Sequence, residues 1–241
     1  MSEQVRDTVE DMFKTLNLKN GDARQKETIT KYILLILEWL QIVRLTGEKN
    51  ADGIIWQQVY DSLYLLKLTD LNKGLEVIDL GSGGGLPGIP LKICRPGIKM
   101  YLMDSSKKKA SFLKEAIERL GLNDTYILCG RAEEFGKNKD YREQYDLVVC
   151  KAVAEMAALI ELALPLLKLE GRALIYKGPR GKEEAEEAKR ALEICGGRIS
   201  GEWQYNLSGG QSRSLYEIKK ESFTPHKYPR RPGVPERKPI N

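Results

Sequence analysis

The run Glu76-Val77-Ile78-Asp79-Leu80-Gly81-Ser82-Gly83-Gly84-Gly85-Leu86-Pro87-Gly88 decides the fold. Its first five residues form an apolar strand. The glycines that follow let the backbone turn tightly and come close to a ligand before a helix begins. Pro87 suits the first helical turn, where its missing N–H is no loss. Together these are the marks of a ligand-binding first βα turn. Two adenosine cofactors compete for it. Read from Gly83 to Gly88, the loop satisfies the dinucleotide pattern G-x-G-x-x-G. Read from Gly81, it is D-x-G-x-G-x-G with Asp79 just ahead. The second register starts the turn at the strand end, at Gly81, and uses Gly83 as its next glycine. It also offers the Asp79 carboxylate to the crevice, where it is acceptable beside a cationic sulfonium and awkward beside a pyrophosphate.

Outward from this loop, short apolar strands alternate with helical patterns. Strands are expected at Leu75–Leu80, Ile98–Met103, Thr125–Cys129, Asp146–Cys150 and Arg172–Tyr176, and helices at Pro87–Cys94, Lys107–Leu120, Glu155–Leu167 and Lys182–Ile194. Such alternation implies a parallel sheet covered on both faces. After Gly196-Gly197, runs near Ile199–Leu207 and Ser214–Lys219 are expected to pair as a terminal antiparallel hairpin. The chain up to about Leu71 reads as helical, with apolar spacing over Ser2–Leu16 and Asp22–Leu45 and a third helix from about Gly53 to Leu66. Trp39 is expected in the core. The expected organisation is a helical region 1–71, an α/β domain 72–220 and a basic Pro-rich tail 221–241.

Asp104 follows Gly81 by 23 positions, at the end of the second strand, where a carboxylate can accept from both ribose hydroxyls. No G-x-x-x-x-G-K-[ST] occurs, which excludes a P-loop nucleotidase. His226, the sole histidine, lies in the tail, so a histidine triad, a multi-histidine zinc site and a histidine proton relay are all disfavoured. Cys94, Cys129, Cys150 and Cys195 lie far apart and are expected to be small buried hydrophobes rather than metal ligands. Methyl transfer from a sulfonium to a ring-nitrogen lone pair needs no deprotonation, and alignment can supply most of the acceleration. That reaction suits a chain with no evident catalytic base.

The net charge of +5 is concentrated. From Lys219 onward there are seven basic and two acidic residues; removing them from the totals of 39 and 34 leaves 32 of each sign. Lys227, Arg230, Arg231, Arg237 and Lys238 are therefore candidate RNA-binding residues, with a solubilising tail as the alternative. Cofactor affinity is expected to be independent of this tail. No signal-peptide pattern and no membrane-length apolar run is present, and a cytoplasmic location is expected.

After the fourth strand the chain reads Asp146-Leu147-Val148-Val149-Cys150-Lys151-Ala152-Val153-Ala154. The absence of [DNS]-P-P-[FYW] argues against exocyclic amines as acceptors, and Cys150, in an apolar strand with no preceding proline, reads as structural rather than nucleophilic. Several segments now resemble one family: Asp79 to Pro90, Asp104-Ser105, Gly130-Arg131-Ala132-Glu133-Glu134, Lys151-Ala152-Val153-Ala154, Leu164-Pro165-Leu166, Tyr176-Lys177-Gly178 and the tail Lys227 to Ile240. They are similar to the ribosomal RNA small subunit methyltransferase G family, also called glucose-inhibited division protein B. The likeness runs from about Trp39 to the end.

The resemblance implies a class I S-adenosylmethionine-dependent methyltransferase with a Rossmann-like α/β sheet, acting on N7 of a guanosine in the decoding region of 16S rRNA. It implies cofactor contacts from Gly81 and Leu86 near the methionine end, from Asp104 and Ser105 near the ribose, and from Ala132 and Glu133 against adenine. Lys151 would occupy the position after strand four. The implied partner is 16S rRNA or the small ribosomal subunit, with no metal and no membrane, and a monomer is favoured. The chain departs from the family at Lys151, where arginine is usual, at Leu40 and Arg44, where asparagines are usual, and at Gln58, where histidine is usual. Those departures keep two alternatives in view. One is a methyltransferase of the same fold on another RNA or a small molecule; the other is a cofactor-retaining RNA-binding or assembly protein without turnover.

Overall fold

The computed structural model describes residues 2–18, 21–151 and 153–240; Ala152, within the segment after strand four, lies outside them. The chain opens with α1 (Ser2–Leu16) and α2 (Ala23–Trp39). The Asp22 carboxylate starts α2 by accepting from Gln25 N at 2.7 Å, and the Gln25 amide oxygen accepts from Asp22 N at 3.3 Å. This reciprocal cap satisfies two N–H groups that no helical carbonyl can reach. A continuous helical stretch follows, made of α3 (Ala51–Gly53), a π-helical segment (Ile54–Val59), α4 (Tyr60–Tyr64) and a 3-10 turn (Leu65–Lys67).

The remainder alternates: β1 (Glu76–Leu80), α5 (Gly88–Cys94), β2 (Lys99–Asp104), α6 (Lys107–Leu120), β3 (Thr125–Cys129), α7 (Ala132–Phe135), β4 (Tyr145–Lys151), α8 (Met156–Ala163), β5 (Leu167–Lys177), α9 (Gly181–Glu187), α10 (Lys189–Cys195), β6 (Gly197–Asn206), β7 (Ser212–Lys220) and α11 (Val234–Arg237). The seven strands lie in the order β3-β2-β1-β4-β5-β7-β6. β1 to β5 are parallel, while β7 runs antiparallel to both β5 and β6. The expected mostly parallel sheet with a terminal antiparallel hairpin is what the chain forms. No helix among the described residues is long and apolar enough to cross a membrane.

Strand alternation divides the interior in two. Val77, Leu147, Val149, Leu174 and Tyr176 point to a core shared with α1, α2, α5 and α6. Ile78, Leu80, Val148, Cys150, Ala173 and Ile175 point to a second core with α8 and α10. A period of two along each strand is what fully buried parallel strands require to fill both faces. The chain reverses its direction of strand addition between β1 and β4, and a crevice opens beyond their carboxyl ends at such a switch point.

Three sequence expectations change. The second helix stops at Trp39 rather than Leu45: Ile42 N and Val43 N both bond back to Trp39 O, and the chain leaves the helix so that Leu45 can pack over the glycine loop. The helix expected over Lys182–Ile194 is divided at Ala188 (φ −85°, ψ −2°). No helix-breaking residue stands there and Ala188 is fully buried, so the interruption has a tertiary origin. Of the four cysteines, Cys129 is exposed and the other three are buried.

Candidate functional site

The glycine loop is held from beneath. Asp79 is fully buried, and its Oδ2 accepts from Ser82 Oγ at 2.7 Å and from Gly88 N at 2.9 Å, tying the two ends of the loop together. The carboxylate therefore lies under the loop rather than opening onto the crevice, which corrects the sequence reading. Period two explains it: Asp79 shares the face of Val77, towards α5. Its second oxygen, Oδ1, has no hydrogen-bond partner among the described residues, and burial raises the carboxyl to about 6. From above, Tyr32 on α2 donates to Gly84 O at 2.5 Å. Gly81 has φ +73°, and a Cβ there would stand 2.6 Å from Val153 Cγ2, so the first loop position demands glycine twice over.

Asp104 closes the next strand. Its Oδ2 accepts from Gly83 N at 2.9 Å and its Oδ1 from Ser106 N at 2.8 Å, with the Lys109 ammonium 3.7 Å away. Gly81, Asp104, Ser105, Arg131, Ala132, Glu133, Val153 and, from the tail, Glu236 line a cavity of about 70 Å³. Five sequence-predicted cofactor residues thus meet at one pocket: Gly81, Asp104, Ser105, Ala132 and Glu133. Gly83 adjoins it through its bond to Asp104. Leu86 is buried in the first core, and Lys151 lines the neighbouring cavity instead.

That second cavity, of about 500 Å³, opens at the carboxyl ends of β4 and β5, and Val153 lines both. Lys151 is almost wholly buried there. Its Nζ donates to Gln58 O at 2.9 Å and Ser62 Oγ at 3.1 Å and lies 3.5 Å from Asp61 Oδ2. Burial pulls the lysine's pKa down and the Asp61 charge pulls it back up. Asp61 also accepts from Tyr205 OH at 2.6 Å, and Tyr176 OH donates to Ser62 O at 2.8 Å. These bonds clamp α4 to β4, β5 and β6. Lys177 is bonded to Ala154 O and paired with Glu184 at 2.6 Å. Arg213, on β7, lines the cavity with no carboxylate partner among the described residues. Cys150 is fully buried, and burial pushes its thiol up to about 12, so it stays protonated.

Sequence reasoning missed Asp61, Tyr176, Arg213 and Glu236 as pocket residues. Asp61 and Tyr176 are bonded across 144 and 114 positions of the chain, and no local spacing signals any of the four. Tyr176 and Glu236 do fall within the segments Tyr176-Lys177-Gly178 and Lys227 to Ile240 that carry the family resemblance, but nothing in those segments gave either residue a role.

The glycine cradle and the Asp104 carboxylate suit a nucleoside with a ribose to grip. The 70 Å³ cavity is smaller than the ~300–1,000 Å³ of most ligand pockets. The parts of its wall supplied by neither sheet nor glycine loop include Val153 and Glu236. The family profile described as rRNA small subunit methyltransferase G matches residues 25–207.

The chain belongs to this family.

Among its relatives, the Ribosomal RNA small subunit methyltransferase G of Pelotomaculum thermopropionicum is 44% identical over 90% of this chain and 91% of its own length. That of Moorella thermoacetica is 43% identical, covering 88% of this chain and 89% of its own. A solved SAM dependent methyltransferase from Aquifex aeolicus shares the fold, with TM-score 0.50 and 21% identity over 66% of this chain and 89% of that one. In this chain the glycine-loop pocket and the β4–β5 cavity meet at Val153.

Proposed function

We propose that this member of the family is an S-adenosylmethionine-dependent methyltransferase acting on N7 of a guanosine in the decoding region of 16S rRNA, in the cytoplasm. The observation that carries the reading is the pair of adjoining cavities, a small pocket lined by Gly81, Asp104 and Glu133 at the end of β1–β2 and a larger one at the end of β4–β5, within a chain whose residues 25–207 match the family. Bound S-adenosylmethionine supplies an electrophilic methyl group on a cationic sulfonium. Asp104 and Ser105 hold the ribose end, Ala132 and Glu133 flank the adenine, and Gly81 and Gly83 let the loop backbone approach the methionine portion, with Leu86 behind it.

The β4–β5 cavity receives the acceptor base. N7 of guanine carries a free lone pair, so no side chain has to remove a proton and the protein's task is alignment. Lys151 and Lys177 are already engaged by backbone and carboxylate groups and fix the cavity's shape. Arg213 is left to meet O6, the acceptor next to N7, with a planar fork of donors. Of the tail cations, Lys227, Arg231, Arg237 and Lys238 are exposed and suit phosphate contacts, while Arg230 is half-buried against Glu161. The test is a mass map of methylated nucleotides in 16S rRNA from cells with and without the protein. Loss of one N7-methylguanosine is expected, and an unchanged map would overturn the proposal.

A further inference from the structure

The segment after β7 is built into the molecule rather than trailing from it. Thr224 Oγ1 donates to Cys195 O at 2.7 Å, and the Arg142 guanidinium donates to Thr224 O at 2.5 Å and Tyr228 O at 2.9 Å. The Arg230 guanidinium grips the fully buried Glu161 carboxylate through bonds of 3.0, 3.0 and 2.6 Å, and Arg230 N adds a fourth at 2.7 Å. Pro235 and Ile240 are buried. Between these anchors the turn before α11 crosses the glycine-loop pocket, where Gly233 N donates to Glu133 Oε1 at 2.6 Å. Glu236 then joins the pocket lining.

Glu133 and Glu236 differ in availability. Glu133 is buried and has one oxygen committed to the tail backbone. Glu236 is exposed, and its side chain has no hydrogen bond or ion pair among the described residues. A carboxylate only accepts hydrogen bonds. The ribose hydroxyls are provided for by Asp104, which leaves the exocyclic amine of adenine as the nucleoside donor still needing an acceptor.

We propose that the tail turn Gly233–Arg237 is the outer wall of the cofactor pocket and that Glu236 recognises the adenine amine. This rests on the cofactor reading given above and adds a recognition residue to it. Cofactor affinity then depends on the tail, contrary to the expectation from sequence.

The test is calorimetry on the full chain with S-adenosylhomocysteine and with its inosine counterpart, whose base carries a carbonyl in place of the amine. Wild type should favour the adenine ligand. Glu236→Ala should weaken adenine-ligand binding by about tenfold, the worth of one partly exposed charge-assisted hydrogen bond. Glu236→Gln, whose amide can donate as well as accept, should narrow the preference by gaining affinity for the inosine ligand. Unchanged thermal melting of both variants separates recognition from folding. If wild type binds neither ligand, the cofactor reading itself fails. If wild type binds and both variants keep its affinity and its preference, Glu236 has no such role and only the present proposal fails.

Discussion

Two residues under and in the glycine loop make sharp predictions. Gly81→Val would place a branched side chain at φ +73° against Val153, so S-adenosylhomocysteine binding by calorimetry should be abolished; retained affinity would show that the loop's turn does not begin there. Asp79 is the second. Its buried carboxyl is raised to about 6 from an ordinary value of 3.8. The unfolded chain therefore releases this proton at lower pH than the folded one does, and folding stability falls as pH rises from about 4 to about 6. The shift is worth roughly 3 kcal/mol at most. Asp79→Asn should flatten that window in denaturant melts at successive pH values, and an unaltered slope would locate the titration elsewhere. The glycines were legible in the sequence because their spacing is local. The burial of Asp79 was not, because the register placed it at the strand end without saying which face of the sheet it would take.

At the scale of elements, the first five strands and the C-terminal hairpin could be read from apolar runs and turn residues. The end of α2 could not, since the periodic pattern continues past Trp39 and only the need to seat Leu45 over Gly84 ends the helix. The junction of α4 with β4 shows the same limit, because Lys151 and Asp61 are 90 positions apart. Lys151→Met leaves the buried Asp61 carboxylate without its cation and should cost about 3 kcal/mol in chemical denaturation. A loss below about 1 kcal/mol would mean that Tyr205 alone satisfies that carboxylate. The hairpin carries its own prediction. Arg213→Ala, on β7, should lower kcat/KM for small-subunit RNA about tenfold while leaving S-adenosylhomocysteine affinity unchanged. Equal activity would remove Arg213 from the acceptor cavity's role.

For the molecule as a whole, charge bookkeeping located the excess of positive residues in the tail but could not say which of them are already spent on internal partners. Removing residues 221–241 should therefore, besides taking away the outer wall of the cofactor pocket, have two effects that charge alone would not suggest together. Glu161 loses Arg230, which should cost about 3 kcal/mol and lower the melting temperature. RNA affinity should also lose part of its dependence on salt, because exposed Lys227, Arg231, Arg237 and Lys238 go with it. A salt slope identical to that of the intact chain would confine the segment to its structural anchors. A final consequence concerns Val153, whose isopropyl group borders both cavities. A side chain that borders two occupants cannot shift for one without changing the fit of the other. Thermodynamic reciprocity then applies: whatever factor bound RNA imposes on the affinity for the methyl donor, the donor imposes the same factor on the affinity for RNA. Val153→Ala, by opening the partition, should bring that factor towards one, turning two interdependent binding events into independent ones.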